Sequence, residues 1–249
     1  MGRMIEYARI DGQRLQAYLA EADPVAGPVR GAVVLCQEWW GLNAYMRDVA
    51  ERHAQAGFHA LVPDLYHGQI TTDPIEAQDL MIHVIYRKAA AQELRGAVCH
   101  LKEHLHSESG KVAIIGYSSG SALALLTLCA SPEVDAGVLW YGYPPLEYME
   151  AERITAPVLA HWADEDAFFR QDFIRDHEAL LRSHGVRYTG YHYPAPHAFA
   201  NETAQGPGPG RMSQMRYDPA WARIAWDRTM AFLGAELRPE PPLRRLLTG

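Results

Sequence analysis

Short, continuous apolar runs recur along the chain: GAVVLC at 31–36, FHALVP from Phe58, VAIIG from Val112, then Val138 to Tyr141 and Pro157 to Ala163, with the more polar Val186 to Tyr193 as the last predicted strand. Runs this short and rich in β-branched residues, without polar alternation, predict strands buried on both faces of a sheet. Between them lie stretches with helical spacing. One runs behind Asn43, a predicted N-cap, through Gln55 and stops near Gly57. Residues 74–106 keep helical spacing over most of their length, and another helix follows the run at Val112 as far as residue 130. Two more are predicted from Gln171 to His184, closed by Gly185, and from Pro219 to Gly234. Residues 4–20 predict two strands joined by a two-residue turn at Asp11-Gly12.

Strands alternating with helices predict an α/β fold, a mostly parallel sheet with helices on both faces. No internal repeat or change of composition divides the chain, so residues 1–237 are read as one domain. The closing RPEPPLRRLLTG, residues 238–249, is proline-rich and basic. It reads as a loosely packed tail, with an arm gripping a second copy in a homodimer as the alternative.

Chemistry concentrates in KVAIIGYSSGSALALLTLC, Lys111 to Cys129: a strand, a Gly-x-Ser-x-Gly turn and a buried helix. This is the form of a nucleophile elbow, in which a strained turn lifts the central hydroxyl, here Ser118, above the sheet. The bland alternative is an inert glycine turn. A serine nucleophile needs a base to take its proton and a carboxylate to orient that base, in the chain order Ser, Asp or Glu, His. The acid is expected after the strand that begins at Pro157, in AHWADEDAFF; Asp166 is the choice and Asp164 the alternative. The base is expected at His197, in the loop PAPHAF beyond the last strand. Two backbone N–H groups should meet the oxyanion. Ser119, next to the nucleophile, is one candidate donor, and Trp39, in the QEWWGLN loop after GAVVLC, is the other.

Composition narrows the function further. A net charge of −7 and the absence of a basic block in the body of the chain argue against nucleic acid or an anionic membrane as partner. No apolar run reaches the roughly 18 residues of a membrane span. The start, MGRMIEYARIDGQ, has no signal-peptide core, and Glu6 breaks the myristoylation pattern. Cys36, Cys99 and Cys129 lie in apolar runs at no metal-ligand spacing, as reduced thiols in a cytoplasmic protein would. Of the 12 histidines, His100 and His104 could pair on a helix face, but no further ligand pattern accompanies them. His177-Glu178 lacks the second histidine of a metalloprotease helix. Neither a metal nor a cofactor is expected.

Taken together, QEWWGLN, LVPDLYHG, GYSSGS, ADEDAFF, HAFAN and the closing AWDRTMAFL resemble, in order, segments of the dienelactone hydrolase family of α/β-hydrolases, and they span nearly the whole chain. The resemblance implies an α/β-hydrolase fold with Ser118, Asp166 and His197 as triad. It also implies that Glu38 is an active-site glutamate that holds the resting nucleophile and takes part in its activation. Two departures matter. Ser118 stands where members named for dienelactone carry cysteine, an intrinsically stronger nucleophile at neutral pH. Those members also bind a substrate carboxylate with two arginines. One position, four residues after the histidine, is Asn201 here, and no arginine occurs from Thr71 to Tyr86. Arg87, Arg211 and Arg216 are the available substitutes.

Only YGYPPLEYMEAERITAP separates the strand after the elbow helix from the next, too little for a large cap domain. Trp39, Trp40, Tyr45, Tyr143, Trp162 and Phe168 lie near the predicted site. An aromatic pocket with few polar anchors suits a small neutral ester or lactone. The expectation is therefore a cofactor-free serine esterase. The alternatives are a non-catalytic ligand receptor on the same fold, a dienelactone hydrolase proper acting on an acidic lactone, and acyl transfer or peptide cleavage.

Overall fold

The computed structural model describes residues 1–204, 212 and 214–239. Residues 205–211, with Arg211, residue 213 and residues 240–249, most of the expected tail, lie outside the described residues. Eight strands form one sheet in the order β1-β2-β4-β3-β5-β6-β7-β8. They are β1 (Arg3–Ala8), β2 (Arg14–Ala20), β3 (Gly31–Cys36), β4 (Phe58–Pro63), β5 (Val112–Tyr117), β6 (Ala136–Trp140), β7 (Val158–Ala163) and β8 (Tyr188–Tyr193). The hairpin β1–β2 and the pair β2–β4 are antiparallel, and every pairing from β4 to β8 is parallel.

The apolar runs became strands because the sheet is covered twice. On one face Val34, Ile114 and Trp162 pack under α4 (Arg95–His104), α5 (Ser119–Ala130) and α6 (Gln171–Ser183). On the other, Val33, Ile115 and Trp140 pack under α1 (Ala44–Gln55) and α7 (Pro219–Glu236). Strands β3 to β7 are buried at every position, so continuous hydrophobicity rather than alternation marks them. Asn43 caps α1, its side-chain oxygen accepting from the Met46 N–H, and Gly57 takes φ +89° as the chain turns into β4.

Two expectations need correction. Ala8 pairs with Arg14, so residues 9–13 form the hairpin loop rather than Asp11-Gly12 alone. The Asp11 carboxylate is drawn onto the Arg9 guanidinium and the Gln13 N–H, which holds the dipeptide in a wider loop. The helical spacing over 74–106 is split. α2 (Pro74–His83) ends where the β-branched pair Val84-Ile85 turns extended. The short α3 (Tyr86–Lys88) then runs through a π turn, Ala89–Leu94, into α4. No helix among the described residues is long and apolar enough to cross a membrane.

Candidate active site

The loops that leave β3, β5, β6, β7 and β8 emerge at the carboxyl edge of the parallel strands, where open α/β sheets bind ligands. Ser118 sits there between β5 and α5 with φ +54° and ψ −120°, a conformation costly for any residue with a Cβ. The flanking glycines explain how so tight a turn closes. A Cβ on Gly116 would strike the Gly120 carbonyl, and one on Gly120 would strike the carbonyls of Cys36 and Gln37. Ser121 fastens the turn to the sheet, its Oγ lying 2.7 Å from the carbonyl oxygens of both Gly116 and Trp140, either of which its single proton can serve, and accepting the Trp140 N–H. Backbone strain gathers at this place. Of the four described non-glycine residues with positive φ, Ser118, Tyr141 and Ala198 belong to it and only His67 does not.

The Ser118 Oγ lies 2.9 Å from His197 Nε2, and His197 Nδ1 lies 2.7 Å from Asp166 Oδ2. With the proton on Nδ1 directed at Asp166, Nε2 is free to accept from the serine. The His197 and Asp166 side chains are 3% and 1% exposed, so water does not compete for their contact. Asp166 is itself oriented, since its Oδ1 accepts the N–H groups of Phe168 and Phe169 at 2.8 and 3.0 Å. Asp164, the alternative acid, turns to His192 on the surface. Ser119 opens α5, in the turn where helical N–H groups lack intrahelical partners. Trp39 lies in the loop beyond β3, next to Glu38.

Glu38 is buried beneath this row. Asn201 donates from Nδ2 to its Oε2 at 2.6 Å, and the Tyr141 hydroxyl donates to its Oε1 at 3.3 Å. Burial pushes the Glu38 carboxyl above its usual range, while the His197 charge and the bonds from Asn201 and Tyr141 pull the other way. Glu38 thus contacts Asn201, the residue at the departed arginine position.

Rings enclose the histidine. Phe169 stacks on His197 at 5.5 Å, Phe168 tilts over it at 4.9 Å, and Tyr141 meets it edge-on at 5.1 Å. Trp39 bridges the cleft, touching Trp40 at 4.9 Å and Phe168 at 6.3 Å between ring centres. Tyr143 borders the same wall through Phe169, and its hydroxyl donates to the Arg170 carbonyl.

Trp162, expected in the pocket, is in the core. On β7 it projects to the face opposite His161 and Ala163, and its indole donates to the Tyr188 hydroxyl at 2.7 Å. Tyr45 is also buried, with its hydroxyl on the Ala200 carbonyl. Tyr141 and Phe169 escaped the sequence reading, although each neighbours a residue of interest in the segments YGYPP and DAFF.

Of the substitute arginines, Arg87 pairs with Glu150. Arg216 donates its backbone N–H to the His197 carbonyl and leaves its side chain exposed. The His100 and His104 rings lie 4.7 Å apart on α4, and no group of three or more metal-ligating side chains is placed to hold an ion among the described residues.

Protein usf of Aquifex pyrophilus is 30% identical over 239 residues, covering 93% of this chain and 97% of its own. A carboxymethylenebutenolidase of Pseudomonas putida is 27% identical over 247 residues, covering 93% and 95%. Among solved structures, a dienelactone hydrolase-like promiscuous phosphotriesterase from metagenomic libraries superposes with a TM-score of 0.81 at 22% identity, covering 95% of this chain and 98% of that one. A Pyrococcus furiosus esterase gives 0.68 at 15%, covering 95% and 93%. At such identities the structural likenesses speak to the α/β-hydrolase fold alone. The model of the dienelactone hydrolase family matches residues 15–237, and the chain belongs to that family.

Proposed function

We propose that this chain hydrolyses small uncharged carboxylic esters or lactones through an acyl-enzyme on Ser118. Family membership makes it a carboxylic ester hydrolase of small esters or lactones. The observation that carries the finer reading is the unbroken hydrogen-bond row Ser118–His197–Asp166. As Ser118 Oγ attacks the carbonyl carbon, its proton passes to His197 Nε2. The imidazolium so formed faces the Asp166 carboxylate, which stabilises the charge and fixes the ring. The negative oxygen of the tetrahedral intermediate is assigned to the Ser119 and Trp39 N–H groups. Collapse expels the alcohol, which takes the proton back from His197. A water molecule then attacks the acyl carbon, giving its proton to His197, and the second intermediate collapses by breaking the bond to Ser118 Oγ, which takes that proton as the acid leaves. Glu38, buried and held by Asn201 and Tyr141, is assigned a positioning role beneath the row.

Replacing Ser118 by alanine should lower turnover of p-nitrophenyl acetate by on the order of 10⁶-fold. Turnover that survives in Ser118→Ala would sink the assignment. The uncharged preference rests on Asn201, whose amide is committed to Glu38, and on Arg87, committed to Glu150. A second reading, an acidic lactone, is favoured by Arg216, whose backbone abuts His197. A screen of neutral and acidic lactones on wild type and Arg216→Gln separates them. Preference for acidic lactones that disappears in the variant would establish the second reading. The free thiols Cys36, Cys99 and Cys129 support a cytoplasmic location.

A further inference from the structure

His177 lies on α6 behind the aromatic wall of the site and is 1% exposed. Its Nδ1 sits 2.7 Å from the Phe173 carbonyl oxygen, and its Nε2 sits 2.8 Å from the Pro144 carbonyl oxygen. A carbonyl only accepts, while a neutral imidazole has one N–H and one lone pair. Only the imidazolium serves both contacts; a neutral ring would press its lone pair against an oxygen. The other described buried histidines make no such demand. His59 accepts the Ala22 N–H and donates to the His106 carbonyl, which suits a neutral tautomer. His53 meets one carbonyl, that of Val49, and its Nε2 has no partner among the described residues. His161 meets two hydroxyls, and His197 a hydroxyl and the Asp166 carboxylate.

What His177 holds leads to the row Ser118–His197–Asp166. The Tyr143 ring stacks on His177 at 4.6 Å and meets Phe169 edge-on at 4.9 Å, and Phe169 stacks on His197 at 5.5 Å. Tyr143 also donates its hydroxyl to the Arg170 carbonyl, so it grips residues 169 and 170 at two points. The Phe169 N–H in turn bonds Asp166 Oδ1. One short segment therefore orients the carboxylate and covers the imidazole, and it runs directly into α6. His177 ties the first turn of that helix to the Pro144 loop. We infer that His177, bridging the two carbonyls as an imidazolium, is a positioning residue for His197 and Asp166, an inference that rests on the triad reading above. Several groups bear on its charge. Burial pulls the ring below its ordinary range, while the Phe173 and Pro144 carbonyls and Asp176 favour the proton. Tyr143, facing it from the loop after β6, is pushed up by burial, stays neutral and offers its π face to a cation. Arg170 and Asp172, at the head of α6, pair with each other. His177 therefore gains its proton, and with it the second carbonyl contact, as pH falls below 6.5.

The test has two arms on the full-length protein. In the first, NMR of ¹⁵N-histidine-labelled wild type reads the protonation of each ring between pH 8 and pH 5. The His177 signals are the ones lost in His177→Phe, and Tyr143→Phe, which leaves His177 in place, identifies them by their shift should that variant fail to fold. Both His177 nitrogens should become protonated within that range while the protein stays folded. In the second arm, kcat for p-nitrophenyl acetate is compared across the same range. His177→Phe keeps a ring against Tyr143 but has no N–H, and at pH 5.5 its kcat should lie about tenfold or more below wild type, with KM little changed. The deficit should narrow toward pH 8, where the wild-type ring also loses one carbonyl. A ring that served only the fold would leave the ratio of the two enzymes constant with pH. Tyr143→Phe, which removes the bond to Arg170, should show a smaller deficit. A His177 that stays neutral at pH 5 in folded protein, or a ratio constant from pH 5.5 to 8, would overturn the proposal. Turnover surviving in Ser118→Ala would instead strike the triad reading and leave the protonation result standing.

Discussion

Two buried histidines lie at different levels of the sheet, His161 within β7 and His197 in the loop after β8 at the carboxyl edge. Both are nearly free of solvent, at 0% and 2% exposure. Both use both ring nitrogens. His161 places Nδ1 at 2.9 Å from the Tyr193 hydroxyl and Nε2 at 2.9 Å from the Thr229 hydroxyl. His197 places Nδ1 on the Asp166 carboxylate and Nε2 on the Ser118 hydroxyl. The difference is one partner, a hydroxyl against a carboxylate. A hydroxyl satisfies a neutral imidazole but cannot compensate a charged one. Burial, with Arg228 nearby, accordingly pushes His161 down to about 3. On the triad reading the His197 imidazole must become charged during the reaction, and the Asp166 carboxylate is the partner that can compensate that charge.

The most severe way to break the comparison is to give His197 a neutral partner too. Asp166→Asn keeps the size and the contact to Nδ1 but removes the charge and can reverse the tautomer. On the triad reading kcat should fall by about 10⁴-fold, as in other triads, with KM little changed. A loss smaller than tenfold would mean that His197 works without Asp166 and that the two histidines differ for another reason.

A smaller effect belongs to the structural histidine. His161 in the folded chain is held at about 3 and His53, also fully buried, at about 4, against 6.5 in the unfolded chain. Below pH 6.5 the unfolded chain therefore binds protons that the folded chain does not. Stability from these two sites is fully present above pH 6.5 and drains away as pH falls toward 3–4. At pH 4.5, two units below the unfolded value, His161 alone should account for roughly 2–3 kcal/mol. Urea unfolding at pH 7 and 4.5 measures it. In His161→Gln, which keeps donor and acceptor without titrating, the drop between those pH values should shrink by about that amount. An unchanged drop would contradict the account of His161.

These contrasts also show what could be read before the structure. The strands of the parallel region were legible because burial on both faces writes itself as uninterrupted hydrophobicity, and the elbow because its glycines are required by backbone contact. Asp166 could be placed on a loop but not separated from Asp164, since that depends on which carboxylate the β7 loop turns toward His197. Trp162 was misplaced because a strand residue next to the site can still face the opposite layer, and only the sheet's register tells which. Tyr141 lies just beyond β6 with φ +43°, outside the alternation of the strand, so no periodicity predicts that its hydroxyl meets Glu38.

The finest difference between the two histidines is a second carboxyl, which His197 has in Glu38 and His161 lacks. Burial raises Glu38, and a positive His197 opposes the rise. The sign for stability is opposite to that of the histidines. Above pH 4.5, the ordinary value for this group, the unfolded chain releases the Glu38 proton while the folded chain still holds it. Stability therefore falls as pH rises from 4.5 to the folded value, by about 1.4 kcal/mol per unit inside that window, and stays lost above it. Glu38→Gln keeps an acceptor for Asn201 and abolishes the titration. The variant should lose less stability than the wild type when urea unfolding is compared at pH 5 and pH 8. On the triad reading its turnover should fall far less than that of Asp166→Asn, because Asp166 touches His197 directly and Glu38 is bonded to Asn201 and Tyr141. Identical pH dependence in Glu38→Gln and wild type would mean that Asn201 and Tyr141 hold Glu38 as a full carboxylate. The site would then carry two permanent negative charges against one histidine, and the contrast with His161 would be larger than one partner.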